Sequence, residues 1–276
     1  MKKFIIISLI YFLTLSIPSK AEDVHTFTFG IVPQQAASKL ARLWNPIMIY
    51  WNKQLTGYKL QFKTAPNIPE FERRLAEGEY DIAYMNPYHY TVFHENPGYI
   101  AFAKEKDKRI KGIIVVSKDS PLKTIEELNG KTLAFPSPAA FAASALPRAY
   151  LKKQGIKITP EYVSSHDSVY LTVSRGRFPA GGGVMRTFKN TSTRTRKQLR
   201  ILWETQTYTP HAIAHLPSVP KELIEQLSKV MFAMDEIFEG QRLLAAINFK
   251  GIISAEDKEW DDVRALEINL LDDLVK

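Results

Sequence analysis

Alternation of strand-like and helix-like segments constrains the fold of this chain more than any other feature. Residues 25–32, HTFTFGIV, alternate at first and then close as a buried run, the pattern of a strand. Residues 36–55 follow with Leu40, Leu43, Trp44 and Ile47 on one helical face. Residues 58–64 alternate again, and residues 68–77 form an amphipathic stretch that stops at Gly78. Residues 80–85 read as a strand and 87–94 as a helix. The order βαβαβα predicts a parallel sheet with helices on its faces. A second set starts at Lys111: strands over 111–116, 131–135 and 159–163, helices over 139–153 and 167–175, and a flexible strand or turn over 181–184. Residues 200–203 and 212–216 read as strands, and 220–234, 239–247 and 258–274 as helices.

The N-terminus stands outside this pattern. Met1-Lys2-Lys3 precedes an apolar run from Phe4 to Ile17, and Ser19-Lys20-Ala21 places small residues three and one before a cut after Ala21. That layout predicts an export signal over residues 1–21, too short for a membrane span, and places the mature chain in the periplasm. Losing Lys2, Lys3 and Lys20 lowers the formal charge from +8 to about +5, which mildly favours anionic partners. An exported chain of this charge is not expected to bind nucleic acid. The sequence has no cysteine, which excludes disulfides, thiolate catalysis and thiolate metal ligation. A mature chain of this length with two βαβ sets predicts two α/β lobes. In such sheets ligands sit outside the carboxyl ends of the strands, so the loops after strands are the candidates.

Four such loops carry binding chemistry. Gln34 and Gln35, after the first strand, offer amide donors and acceptors. After the third comes Asn86-Pro87-Tyr88-His89-Tyr90, in which Tyr88 and Tyr90 have the apolar body and polar tip of a pocket wall. Ser137-Pro138-Ala139-Ala140-Phe141-Ala142-Ala143 opens a helix whose free N–H groups and positive end suit an anion. The same alanines serve helix propensity equally well. Ser165 and His166 follow the next strand, where Ser165 also suits a helix cap. The basic run Arg186, Lys189, Arg194, Arg196, Lys197, Arg200 reads as a solvated helix face. No HExxH and no nucleophile elbow is present, so neither a metal, a cofactor nor catalysis is expected, with a secreted hydrolase as a remote alternative.

Taken in order, several elements resemble the periplasmic substrate-binding proteins of phosphate, phosphite and phosphonate ABC transporters, the PhnD-like family. They are Gly30-Ile31-Val32-Pro33, the segment Gly78-Glu79-Tyr80-Asp81-Ile82-Ala83-Tyr84 with Pro87 and Tyr90 behind it, Ser165-His166-Asp167 with Val173 and Gly176, and the stretch 210–220. The resemblance implies a two-lobed periplasmic-binding-protein fold of type II. Its discontinuous first lobe would span 22–110 and 206–276, its second 111–205. It implies a monomer that closes on a small oxyanion by hinge bending and presents it to a membrane ABC permease. The alternative partner is a membrane sensor kinase. One departure stands out. Where the family carries a Ser-Thr-Ser hydroxyl set at the helix start, this chain has Ala140, Phe141 and Ala142.

Overall fold

The computed structural model describes residues 24–274. The expected export signal, residues 1–21, lies outside them. Eleven strands among the described residues form two sheets. The first sheet contains β1 (His25–Ile31), β2 (Tyr58–Lys63), β3 (Ile82–Met85), β4 (Ile100–Glu105), β10 (Ala212–His215) and β11 (Ile252–Ser254), in the order β11-β4-β10-β3-β1-β2. The second contains β5 (Gly112–Ser117), β6 (Thr132–Phe135), β7 (Thr159–Tyr162), β8 (Ala180–Val184) and β9 (Leu199–Glu204), in the order β7-β6-β8-β5-β9. The chain thus leaves the first half after β4 and returns before β10. The two connecting segments pair with each other, Ile110 N–H to Tyr208 O and Tyr208 N–H to Ile110 O, both 2.8 Å.

Each half follows the expected α/β logic. In the first, β1 runs parallel to β2 and β3, and helices α1 (Ala37–Asn52), α2 (Ile68–Ala76) and α3 (Pro87–Glu95) make the connections. Helix α1 buries Leu40, Trp44, Ile47 and Trp51, and Phe29 of β1 lies 5.4 Å from Trp51, centroid to centroid. β10 enters antiparallel between β3 and β4. In the second half β6 is parallel to β7 and β8, while β5 pairs antiparallel with β8 and β9.

Two expectations change. The helix expected over 139–153 is a π-helical turn, Phe141–Ala145, followed by α4 (Leu146–Lys153). Pro147 lacks an N–H for the carbonyl one turn back, so the turn before it widens. The helix expected over 258–274 ends at Arg264, because Glu267 adopts a left-handed backbone, φ 49°, that no helix continues through. Of the two readings of the glycine run, strand or turn, the strand is the one formed: Ala180–Val184, AGGGV, is the central strand β8, buried at every position.

The glycines of β8 allow close approach on both faces. A Cβ on Gly181 would lie 2.5 Å from Val169, and one on Gly183 2.2 Å from the Tyr170 hydroxyl; both residues belong to α5 (His166–Ser174). Gly182 points the other way, where a Cβ would lie 1.9 Å from Ala143 O. Gly112 of β5 meets the same turn, with Ala142 O at 1.8 Å from its virtual Cβ. Two glycines on neighbouring strands therefore let the backbone of the 141–145 turn rest directly on the sheet, which fixes its position.

Candidate functional site

The carboxyl ends of the parallel strands in both halves converge on one interior. β1 delivers Gln34 and Gln35, β3 delivers Asn86, β6 the 139–143 turn, and β8 Arg186 at the start of α6 (Met185–Asn190). The end of β7 leads to His166. Antiparallel strands contribute from their starts: Ala212 of β10 pairs with Met85, so His211 lies at that same edge. Gly112 of β5 pairs with Val184, which brings Ile110 alongside.

Gln34 is the centre of the polar contacts. It is 7% exposed. Its Nε2 donates to His211 Nε2 at 3.1 Å, and its Oε1 accepts from the Arg186 guanidinium. Because an amide nitrogen only donates, His211 Nε2 must be the unprotonated acceptor, with the ring proton on Nδ1. His211 stacks on Tyr84 at 4.9 Å and 19°. Arg186 lies over the Tyr84 ring at 5.4 Å and over Phe249 at 5.8 Å. Gln34 O accepts from the backbone N–H of His166 at 3.2 Å. A single residue of the first half therefore holds three groups from elsewhere in the fold.

More contacts join the halves. Asn86 Nδ2 donates to Ala139 O at 3.3 Å, while its Oδ1 accepts from His89 N–H and caps α3. Lys39 Nζ donates to Asn190 O at 2.6 Å, and Gln35 Nε2 to Asp167 Oδ1 at 3.5 Å. Asn248 Nδ2 donates to Asn190 Oδ1. Ala139–Ala143 and Val184 join the apolar core of the first half, and Phe141 packs edge-on against Tyr208 of the return segment, 5.6 Å between centroids. The molecule is closed. At the 140–143 turn the cavity that remains is about 10 Å³, room for about one water.

The strand-end expectation thus brings together Gln34, Gln35, Ala140, Phe141, Ala142 and His166. Ser165 lies beside them, but its hydroxyl caps α5 by accepting from Ser168 N–H at 3.1 Å. The Ser137 hydroxyl is buried and has no hydrogen-bond partner. Tyr88 and Tyr90 are not brought to this interior. Tyr88 Oη accepts from Leu271 N–H at 3.0 Å, and burial pushes its hydroxyl pKa up to about 12. Tyr90 donates to Asp257 at 2.7 Å and packs on Trp260. Helix α3 carries both tyrosines to Leu271 and Trp260, while its cap, Asn86, reaches across to Ala139. Arg186 is likewise not part of a solvated face. It follows a strand end as directly as Gln34 does, but its basic neighbours mask that signal.

Electrostatics keep both site histidines neutral. His166 is buried, with its Nδ1 3.2 Å from Thr187 Oγ1. Burial, with Arg186 adding to it, lowers its pKa from 6.5 to about 3. Burial and the same guanidinium hold His211 well below its ordinary value. An unfolded histidine therefore binds a proton that folded His166 refuses between about pH 6.5 and 3. Its contribution to stability is complete above pH 6.5 and is lost as the pH falls through that window. Thermal melts should show about 2–3 kcal/mol less stability at pH 4.5 than at pH 7.5 from His166 alone. His166→Asn should remove that share of the acid limb; an unchanged limb would contradict it.

Comparison with known proteins gives consistent matches. The family model described as the periplasmic substrate-binding protein of the phosphonate ABC transporter matches residues 29–260. The phosphate-import protein PhnD of Mycolicibacterium smegmatis is 22% identical over 281 residues, spanning 87% of this chain and 84% of that protein. A binding-protein component of an ABC phosphonate transporter from Pseudomonas aeruginosa superposes with a TM-score of 0.80 at 17% identity, covering 88% of this chain and 85% of that one. PhnD1 from Prochlorococcus marinus, solved with methylphosphonate, gives 0.79 at 19% identity, covering 87% and 96%. At these identities the structural likeness speaks to the fold alone, a two-lobed α/β architecture.

Proposed function

The chain belongs to the family of periplasmic substrate-binding proteins of phosphonate ABC transporters, and from that premise we propose that it captures a small oxyanion between two lobes and delivers it to a membrane ABC permease. The lobes are residues 22–110 with 206–276, and residues 111–205, and the paired segments at Ile110 and Tyr208 are the hinge. The observation that carries this reading is the Gln34 bridge, whose amide joins Arg186 of the second lobe to His211 of the return segment. The Gln34–Arg186 contact crosses from one lobe to the other and exists only when the lobes are shut, so a ligand that adds to it shifts the equilibrium toward closure.

The recognition chemistry fits an anion. Arg186 provides positive charge, and the first-turn N–H groups at Phe141, Ala142 and Ala143 add donors without hydroxyls. Neutral His166 and His211 offer directional hydrogen bonds instead of charge. Calorimetry on the mature chain tests this with phosphate, phosphite and methylphosphonate, and with choline as a cationic control. At least one anion is expected to bind, with choline silent. Choline binding with no anion response would overturn the reading.

A further inference from the structure

Charge is distributed unevenly between the two halves. Residues 111–205 carry 16 lysines and arginines against 6 aspartates and glutamates, a formal +10. Residues 22–110 and 206–276 together carry 18 against 23, a formal −5. Among the described residues, Lys111 is the only one of those 16 with a carboxylate within 4.0 Å, that of Glu204. In the other half Arg73, Arg74, Lys104, Lys106, Lys108 and Arg109 all have such a partner.

Sheet topology turns part of this excess into a row. The site lies at the carboxyl ends of β6 and β8. At their amino ends, the opposite edge of the sheet, β7 and β9 also begin and antiparallel β5 finishes. In the sheet order β7-β6-β8-β5-β9, the residues just beyond that edge are Lys157, Lys131, Arg177, Lys118 and Lys197. Each of the five strands thus has one cation there, and at about 4.8 Å per strand the row is about 19 Å long. Four of the five are exposed and Lys131 is half-buried. Backbone bonds hold neighbouring turns together, Lys118 N–H to Gln198 O at 2.8 Å and Gly130 N–H to Lys157 O at 2.7 Å. Helices α4 and α5 start at the site and finish near this edge, adding Lys152, Lys153 and Arg175.

The carboxylates in the adjoining turns, Asp119, Glu126 and Glu127, do not neutralise the row. Glu127 feels Lys131, but its Oε2 is engaged by the N–H groups of Lys123 and Thr124 at 2.6 and 2.8 Å. Among the described residues, none of the large exposed apolar side chains lies in these turns. The surface therefore offers dense positive charge without an apolar anchor or a shaped register. That combination reads charge density on a broad anionic plane and does not insert.

We propose that this distal edge of the second lobe docks on the anionic headgroup plane of a membrane. The ligand site, at the opposite ends of the same strands, stays open to solvent. Docking thus requires neither ligand nor closure, and it does not rest on the function proposed above. Each cation close to such a plane tightens binding about fivefold, and salt screens the attraction.

Cosedimentation of the mature chain with vesicles tests this. The vesicles are phosphatidylcholine alone, or phosphatidylcholine with 30% phosphatidylglycerol, at low and at 0.5 M salt. One variant combines Lys118→Gln, Lys131→Gln, Lys157→Gln, Arg177→Gln and Lys197→Gln. A control removes the same charge from the other lobe, with Lys53→Gln, Lys59→Gln, Lys63→Gln, Lys221→Gln and Lys229→Gln. Both are checked for wild-type folding by circular dichroism. At low salt the wild type is expected on the phosphatidylglycerol vesicles alone, and 0.5 M salt should release it. The row variant should bind at least 100-fold more weakly, and the control within about fivefold of wild type. Equal binding to both vesicle types, or binding that survives 0.5 M salt, would overturn the proposal. So would equal losses in the two variants, which would assign the effect to net charge. Retention on immobilised polyglutamate without binding to phosphatidylglycerol would overturn it in favour of an acidic protein partner, and binding to neither would overturn it outright.

Discussion

Gly182→Ala is expected to destabilise the protein by about 3 kcal/mol or more. The added Cβ would lie 1.9 Å from Ala143 O and 2.6 Å from the Phe135 ring. Neither obstacle is a flexible side-chain end. One is backbone of the turn proposed to face the ligand, and the other is a ring buried in a packed core. Relief requires lifting the 141–145 turn off β8, which moves the N–H groups of Phe141 and Ala142 proposed as donors to the anion. Thermal melts should therefore fall together with anion affinity. Wild-type stability in this variant would show that the turn does not rest on the sheet as described.

Gln34→Leu is expected to weaken anion binding roughly 30- to 100-fold. The substitution keeps similar volume but removes the acceptor for Arg186 and the donor for His211. Leaving such groups without partners inside a closed interface costs about 1–3 kcal/mol. Every 1.4 kcal/mol is a factor of ten in affinity. The Arg186 share of the penalty falls on the closed form alone, since water replaces the amide there when the lobes separate, whereas His211 belongs to the same lobe as Gln34 and loses its partner in both forms. Calorimetry with the tightest anion of the series measures it, and an unchanged dissociation constant would remove Gln34 from the site.

Much of this architecture is readable from residue patterns, for physical reasons that also explain the exceptions. Strands β1 to β3 and helices α1 to α3 declare themselves because parallel sheets need buried runs, and their covering helices need apolar stripes. β4, IAFAKE, sits before a dense charge run and is not assigned from the sequence; it is held by pairing with β10 and β11, which no local signal encodes. In AGGGV the composition points to flexibility, whereas the structure uses absent side chains to seat a helix on one face and a turn on the other. The loop rule that selects Gln34 and His166 counts only strands entering the site by their carboxyl ends. It passes over His211, because β10 is antiparallel and reaches the same edge by its start. It brings in Tyr88 and Tyr90, whose sequence position is right but whose helix carries them toward Leu271 and Trp260.

The central claim is that an anion shuts the two lobes on one another, and small-angle X-ray scattering of the mature chain tests it most directly. With the anion that binds most tightly in calorimetry, the radius of gyration should fall on saturation, because hinge closure brings the lobes together. Gln34→Leu should need a correspondingly higher anion concentration for the same change. A radius of gyration that stays constant while calorimetry reports saturated binding would contradict the account.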